Sequence, residues 1–263
     1  YDILTQVKHT TITVGNLDKP VKFYINGTMG VIRLVFEEEN KISADTPPYF
    51  PPVQVTRPDF NCLWKTNIGG SDVDYSNSMT ILGDGRIIAA GQTYSNDGDF
   101  ENLLSGFSSA YINTYDLNGK LLNTAVLGGT NPDSSAYASC VDGAADGGYY
   151  VCGGYEESFG RTPSGTFAVL NSEGSVHGQI DGYYAKYDSD GQMLWIKGFS
   201  GSAYDQIKQI KATEDGGCVL LIETNSEDGD MAGFNRGIFD LVLMKCDKEG
   251  NEQWKKVISG SSM

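Results

Sequence analysis

Histidine is almost missing from this chain. His9 and His177 are the only two among 263 residues, too few to build a Ser-His-Asp relay or a histidine-bound zinc readily. Long apolar runs are missing too. No stretch of 18 apolar residues occurs, and a membrane-spanning helix needs about that many. The five cysteines include no Cys-x-x-Cys pair, which removes the usual zinc and thioredoxin-like signatures. Positive charge is scarce. Nineteen Lys and Arg stand against 34 Asp and Glu, for a net charge of -15. A surface of that sign repels phosphate backbones and anionic bilayers, so nucleic acid and membrane insertion are excluded as partners. No stretch keeps a 3.6-residue apolar period between caps, so helices are not expected.

What is present reads as strand and turn. Apolar residues make up 40% of the chain, enough for a real core. Cys152, Cys218 and Cys246 sit in apolar, strand-like runs, where cysteine acts as a small hydrophobe. Cys140 and Cys152 are also spaced to face each other across a hairpin, and the redox compartment stays open. The sequence opens at Tyr1 with neither Met nor a signal peptide, which reads as a processed chain or a segment of a longer one.

Residues 1–42 read as a small β segment. Val21 to Ile25, an Asn26-Gly27 turn and Val31 to Phe36 make a hairpin pattern. Residues 43–62 carry Pro47, Pro48, Pro51, Pro52 and Pro58. Proline removes ladder donors and stiffens the backbone, so this stretch reads as a linker.

Residues 63–263 repeat. Asp188, Gly191 and Trp195 return at the same offsets as Asp247, Gly250 and Trp254. Asp116, Gly119 and Asn123 keep the spacing but lose the tryptophan, and Trp64 opens an earlier copy. A Gly/Ser loop follows each: Gly69-Gly70-Ser71, Gly128-Gly129-Thr130 and Ser200-Gly201-Ser202. Asp74, Asp133 and Asp205 come next. The unit is about 60 residues long, with a longer middle copy that carries a Gly/Ser-rich insertion at 158–179. In Asp-x-x-Gly the carboxylate takes turn N–H donors and the glycine supplies positive φ. The tryptophan falls inside the next strand, where burial between sheets is worth roughly 2–3 kcal/mol. About four short strands per unit imply an all-β propeller.

The set Trp64 to Ser71, Asp146 to Gly153, Ser95 to Asp99 with Ser226 to Asp230, and Asp188 to Trp195 with Asp247 to Trp254 resembles a β-propeller repeat family. That family is common in bacterial secreted, lipid-anchored and cell-wall proteins. The resemblance covers residues 63–263. It implies an extracellular or cell-surface scaffold and names no substrate. Asp-x-x-Gly-x-x-x-Trp is also similar to the tryptophan-docking motif of quinoprotein propellers, without an accompanying cofactor site. It overlaps the sialidase Asp-box only in part. Three repeats and the start of a fourth are visible. Closure is expected either from further blades beyond Met263, the favoured reading, or from the N-terminal strands joining residues 254–258 to make a four-bladed ring.

Two sets of side chains carry chemistry. Asp97, Asp99 and Glu101, with Asp228 and Asp230, place hard oxygen donors around a glycine, and such a loop can wrap calcium. Calcium is the one cofactor candidate. Tyr94, Phe107, Tyr155, Phe159, Tyr204 and Phe234 lie in or beside loops, where aromatics can stack on sugars or on a protein. His177 is expected exposed and inert. The expected function is a non-catalytic extracellular binding or adhesion module of a bacterial surface or secreted protein, with a protein or carbohydrate partner. The alternatives are a carbohydrate-active hydrolase using paired carboxylates and a purely structural scaffold.

Overall fold

Glycine-marked turns cut the chain into short extended runs, and each run forms a strand. The computed structural model describes residues 64–157, 163–171, 177–234 and 238–258, together with the strand backbones at 10–12, 21–26 and 33–36. The expected linker at 43–62, the aromatic Phe159 and residues 259–263 lie outside the described residues. The chain divides into two compact units, Tyr1–Phe60 and Asn61–Met263. In the first, β1 (Thr10–Ile12), β2 (Val21–Asn26) and β3 (Arg33–Phe36) form one antiparallel sheet in that order.

The second unit is all-β, with three four-stranded antiparallel sheets. Sheet I holds β4 (Asp74–Ile81), β5 (Ile87–Thr93), β6 (Ser109–Tyr115) and β7 (Leu121–Leu127). Sheet II holds β8 (Ser135–Gly143), β9 (Tyr149–Glu156), β10 (Asp181–Tyr187) and β11 (Met193–Phe199). Sheet III holds β12 (Asp205–Ala212), β13 (Cys218–Thr224), β14 (Asp240–Cys246) and β15 (Glu252–Ile258). Each sheet is a meander in which every strand pairs with its chain neighbour. The first strand bulges at the same place in all three, between Ser76 and Ser78, Ala138 and Cys140, and Ile207 and Gln209. Such a bulge tightens the local twist, so the three sheets share one curvature device.

The sheets are cut out of phase with the tryptophans. Trp195 and Trp254 lie in β11 and β15, the last strands of their sheets. The Asp-x-x-Gly turn joins each of these strands to the one before it in an antiparallel hairpin. What reads in sequence as the start of a fourth unit is therefore the closing strand of sheet III. Among the described strands β15 pairs only with β14, and β1 to β3 pair with one another.

Alternation along a strand gives each sheet two faces. One face of sheet I presents Ile88, Ala90 and Ile112 to a cluster shared with Ala138, Val141 and Tyr183 of sheet II. The opposite face of sheet II presents Tyr150, Cys152 and Tyr184 to a second cluster with Ile207, Ile210 and Leu220 of sheet III. The same front-to-back packing is thus made twice, with β4 beside β8 and β8 beside β12. Sheet II is covered on both sides, and β10 is buried along its whole length, as is β6 of sheet I. Each large side chain buried this way contributes roughly 1.5–3 kcal/mol. Cys152, Cys218 and Cys246 fill space in the second cluster as free thiols.

Candidate functional site

The loops before the first strand and after the second strand meet at one end of each sheet, and there the chain ties itself together. In sheet III the Ser200 N–H donates to Asp230 Oδ2 at 2.7 Å and the Ser202 N–H to Asp228 Oδ1 at 2.7 Å. The Ala203 N–H donates to Ser226 Oγ at 3.0 Å. Asp205 closes the knot, accepting from Thr224 Oγ1 at 2.5 Å and Ser226 Oγ at 2.7 Å. Sheet I repeats all of it but the threonine bond, since Thr93 Oγ1 donates to the Ser95 carbonyl and not to Asp74. The Gly69 N–H donates to Asp99, the Ser71 N–H to Asp97, the Asp72 N–H to Ser95 Oγ, and Ser95 Oγ to Asp74.

Sheet II builds the same latch without carboxylates at those two places. The Thr130 N–H donates to Ser164 Oγ at 2.8 Å, and the Gly128 N–H to Thr166 Oγ1 at 3.4 Å. A hydroxyl thus stands at both places where sheets I and III put these two loop aspartates. Asp97, Asp99, Asp228 and Asp230, read as calcium ligands, each accept a backbone N–H from the facing loop. Glu101 follows on the exposed surface. Among the described residues no group of three or more His, Cys, Asp or Glu stands together to hold a metal ion. The electrostatics fit the latch. The Ser71 N–H holds the Asp97 carboxyl below its ordinary range. Burial pushes Asp230 up, against the pull of the Ser200 N–H and Lys255. Burial also pushes Asp205 up to about 6, against the pull of the Thr224 and Ser226 hydroxyls.

At the other end lie the Asp-x-x-Gly turns. Asp188 accepts the N–H groups of Asp190 and Gln192, and Asp247 those of Glu249 and Asn251. Two of the three tryptophans, Trp64 and Trp195, reach across to the turn of the sheet that follows them. The Trp195 indole N–H donates to the Lys248 carbonyl at 3.2 Å, and Trp64 donates to the Leu117 carbonyl at 2.7 Å. Gly250 and Gly119 have positive φ and lie against these rings. A Cβ there would meet Trp195 at 2.7 Å or Trp64 at 2.5 Å. Asn123, the weakened copy, comes no nearer than 4.0 Å to a Cβ at Gly191. The repeat tryptophan is therefore a clamp between sheets, and the middle clamp is missing.

Aromatic rings gather at the latch end. Tyr75 and Tyr94 meet edge to face at 6.4 Å, and Tyr94 and Phe107 at 5.4 Å. Tyr75 and Phe107 are each more than half exposed. Gln92 holds this row, donating to Tyr94 Oη at 3.1 Å and to Ser108 Oγ at 2.9 Å. In sheet III, Tyr204 meets Phe239 edge to face at 5.9 Å, and Lys255 Nζ lies 5.1 Å from the Phe234 ring centre. Gln92 and Phe239 carry no sequence signal of their own. Their neighbours in space identify them.

Two expectations are corrected here. Tyr155 is buried, with its ring stacked on Phe167 at 4.4 Å, because it points into the space between sheets I and II and not out of the loop. Its hydroxyl lies 3.3 Å from His177 Nδ1, and that nitrogen lies 2.9 Å from Asp181 Oδ2. His177 is thus mostly buried and partnered rather than exposed. No protein-family model matches the chain, and no curated protein matches it.

Proposed function

We propose that residues 64–258 are consecutive blades of a β-propeller, serving as a non-catalytic extracellular binding or adhesion module of a bacterial surface or secreted protein. The blade reading is supported by the repeated front-to-back packing with first strands side by side, the arrangement of radially stacked sheets. The binding reading is carried by the row Tyr75, Tyr94 and Phe107, with Tyr75 and Phe107 exposed on either side of a half-buried Tyr94. Aromatic rings of this size gain from burial, and most other tyrosines of the repeats are buried. The neighbouring carboxylates are engaged by backbone N–H groups, so the flat apolar faces of Tyr75 and Phe107 and the half-buried side chains of Tyr94 and Gln92 are what this end offers a ligand. Those groups suit a sugar ring, which presents apolar C–H faces and rim hydroxyls. Carbohydrate on a surface is accordingly the partner class. Calcium plays no part in this reading.

The test is retention on insoluble peptidoglycan, chitin and cellulose. The native chain is expected to be retained on at least one of them. The Tyr94→Ala and Phe107→Ala double variant should bind about tenfold more weakly or worse, equivalent to about 1.4 kcal/mol, with its unfolding temperature unchanged. Equal retention of variant and native chain, or no retention on any of the three, sinks the sugar reading. Capture by whole bacterial cells that is abolished when the cells are treated with protease would make the partner a protein.

A further inference from the structure

We infer that the uncovered face of sheet III is a docking surface for one further four-stranded repeat of the same kind, seated with its Asp-x-x-Gly turn beneath Trp254. The inference rests on the stacked-sheet reading and not on sugar binding.

The two internal interfaces define what a covered face looks like. Ile88, Ala90 and Ile112 of sheet I are buried by sheet II, and Tyr150, Cys152 and Tyr184 of sheet II are buried by sheet III. The equivalent places in sheet III are Val219, Leu221 and Leu243, and all three are partly exposed. Leu127 and Phe199 close β7 and β11 in full burial, whereas Ile258 at the end of β15 is 55% exposed. Trp254 occupies the place of Trp195 and is 45% exposed. Trp195 clamps the next sheet's turn. The Trp254 indole N–H has no acceptor among the described residues. At the far side of the stack the matching half is open along β4, where Met79 is 69% exposed and its counterpart Ile210 of β12 is 0% exposed, whereas Ala89, Tyr111 and Tyr115 on that face of β5 and β6 are buried.

The clamp selects the occupant. A second copy of this chain offers sheet I, but its turn glycine, Gly119, is already covered by Trp64. Residues 1–60 contain no Asp-x-x-Gly. The occupant is therefore a repeat with a free turn and an apolar back face, as in sheets II and III.

The experiment appends a second copy of residues 200–258 directly after Ile258. Solvent access is then read at each tryptophan by fluorine NMR of fluorotryptophan with a soluble paramagnetic agent. In the 263-residue chain Trp254 should relax at least fivefold faster than Trp195. In the extended chain the two should match, and the denaturant midpoint should rise, as added repeats do when they share an interface. Changing the appended copy of Gly250 to Ala should return Trp254 to the fast rate. A Trp254 already protected in the 263-residue chain, or one left exposed beside a folded appended sheet, overturns the proposal. Should the appended sheet fail to fold, the unextended chain still decides. Leu243→Gln should then leave the unfolding temperature nearly unchanged, while Tyr184→Gln at the equivalent place lowers it strongly. Equal losses overturn the proposal. Sugar retention by the Tyr94 and Phe107 variants is unaffected by any of these results, so the two readings fail separately.

Discussion

Gly229→Ala is expected to destabilise the chain by about 2–5 kcal/mol, while Gly233→Ala, four residues on, costs only about 1 kcal/mol. Both glycines have positive φ, +57° and +82°, so both substitutions meet the left-handed penalty for an L-residue. They differ in what the new methyl touches. A Cβ at Gly233 meets nothing within 4 Å. A Cβ at Gly229 falls 2.2 Å from the Ser200 carbonyl oxygen and 2.9 Å from Gly201 Cα. That carbonyl accepts the Asp230 N–H at 2.9 Å, and Ser200 in turn donates its N–H to Asp230. The backbone cannot yield without opening the latch. Gly98 and Gly165 hold the same conformation in the other two sheets, with φ of +60° and +57°. Urea-unfolding midpoints of the two variants measure the difference. Equal losses would show that the loop contact has no energetic role.

Asp205 makes stability fall as pH rises from about 4 to about 6. Burial pushes its carboxyl up to about 6 from an ordinary 3.8, so the folded chain keeps a proton that the unfolded chain has already released. Stability falls with pH wherever the native state binds more protons. The contribution is complete below about pH 4 and lost above about pH 6, with an upper bound of about 3 kcal/mol for a shift of about two units. Asp205→Asn cannot ionise. It still accepts from Thr224 or Ser226 through its amide oxygen. The variant should therefore gain on the native chain, by up to about 3 kcal/mol, as pH is raised from about 4 to about 7. Denaturant titrations across that range test it, and a pH-independent gap between the two curves would contradict it. Carboxyls held low, such as Asp215 by Thr213 and Lys245, act in the opposite sense and lower stability only in more acidic solution.

Strands and turns were legible because their causes are local, whereas the tryptophans, expected buried between sheets, are exposed at Trp64 and Trp254. An Asp-x-x-Gly turn needs nothing beyond five successive residues, and Asp188 and Asp247 bond as such turns require. The sheet boundaries were not legible. Trp254 begins a motif in sequence, but hairpin pairing assigns it to the sheet before it. The role of Asp97, Asp99, Asp228 and Asp230 depends on the facing loop. Converging carboxylate oxygens suit calcium and backbone N–H groups alike, and the donors come from residues 26 or 30 positions away in the chain. In the middle repeat Ser164 and Thr166 hold the equivalent places and accept the same backbone N–H groups. Tyr94 and Phe107 were legible as loop-side aromatics. Tyr155 was not, because only the packing of sheet II on sheet I turns its ring inward.

The stacking order itself is tested most directly by truncating one pair of equivalent side chains. Ile210 and Met79 occupy the same place in β12 and β4, the first buried by sheet II and the second exposed. Ile210→Ala should lower the unfolding free energy by about 2–5 kcal/mol, and Met79→Ala should change it by no more than about 0.5 kcal/mol. Comparable losses at the two positions would mean that β4 is covered as β12 is, and would contradict the stacking order.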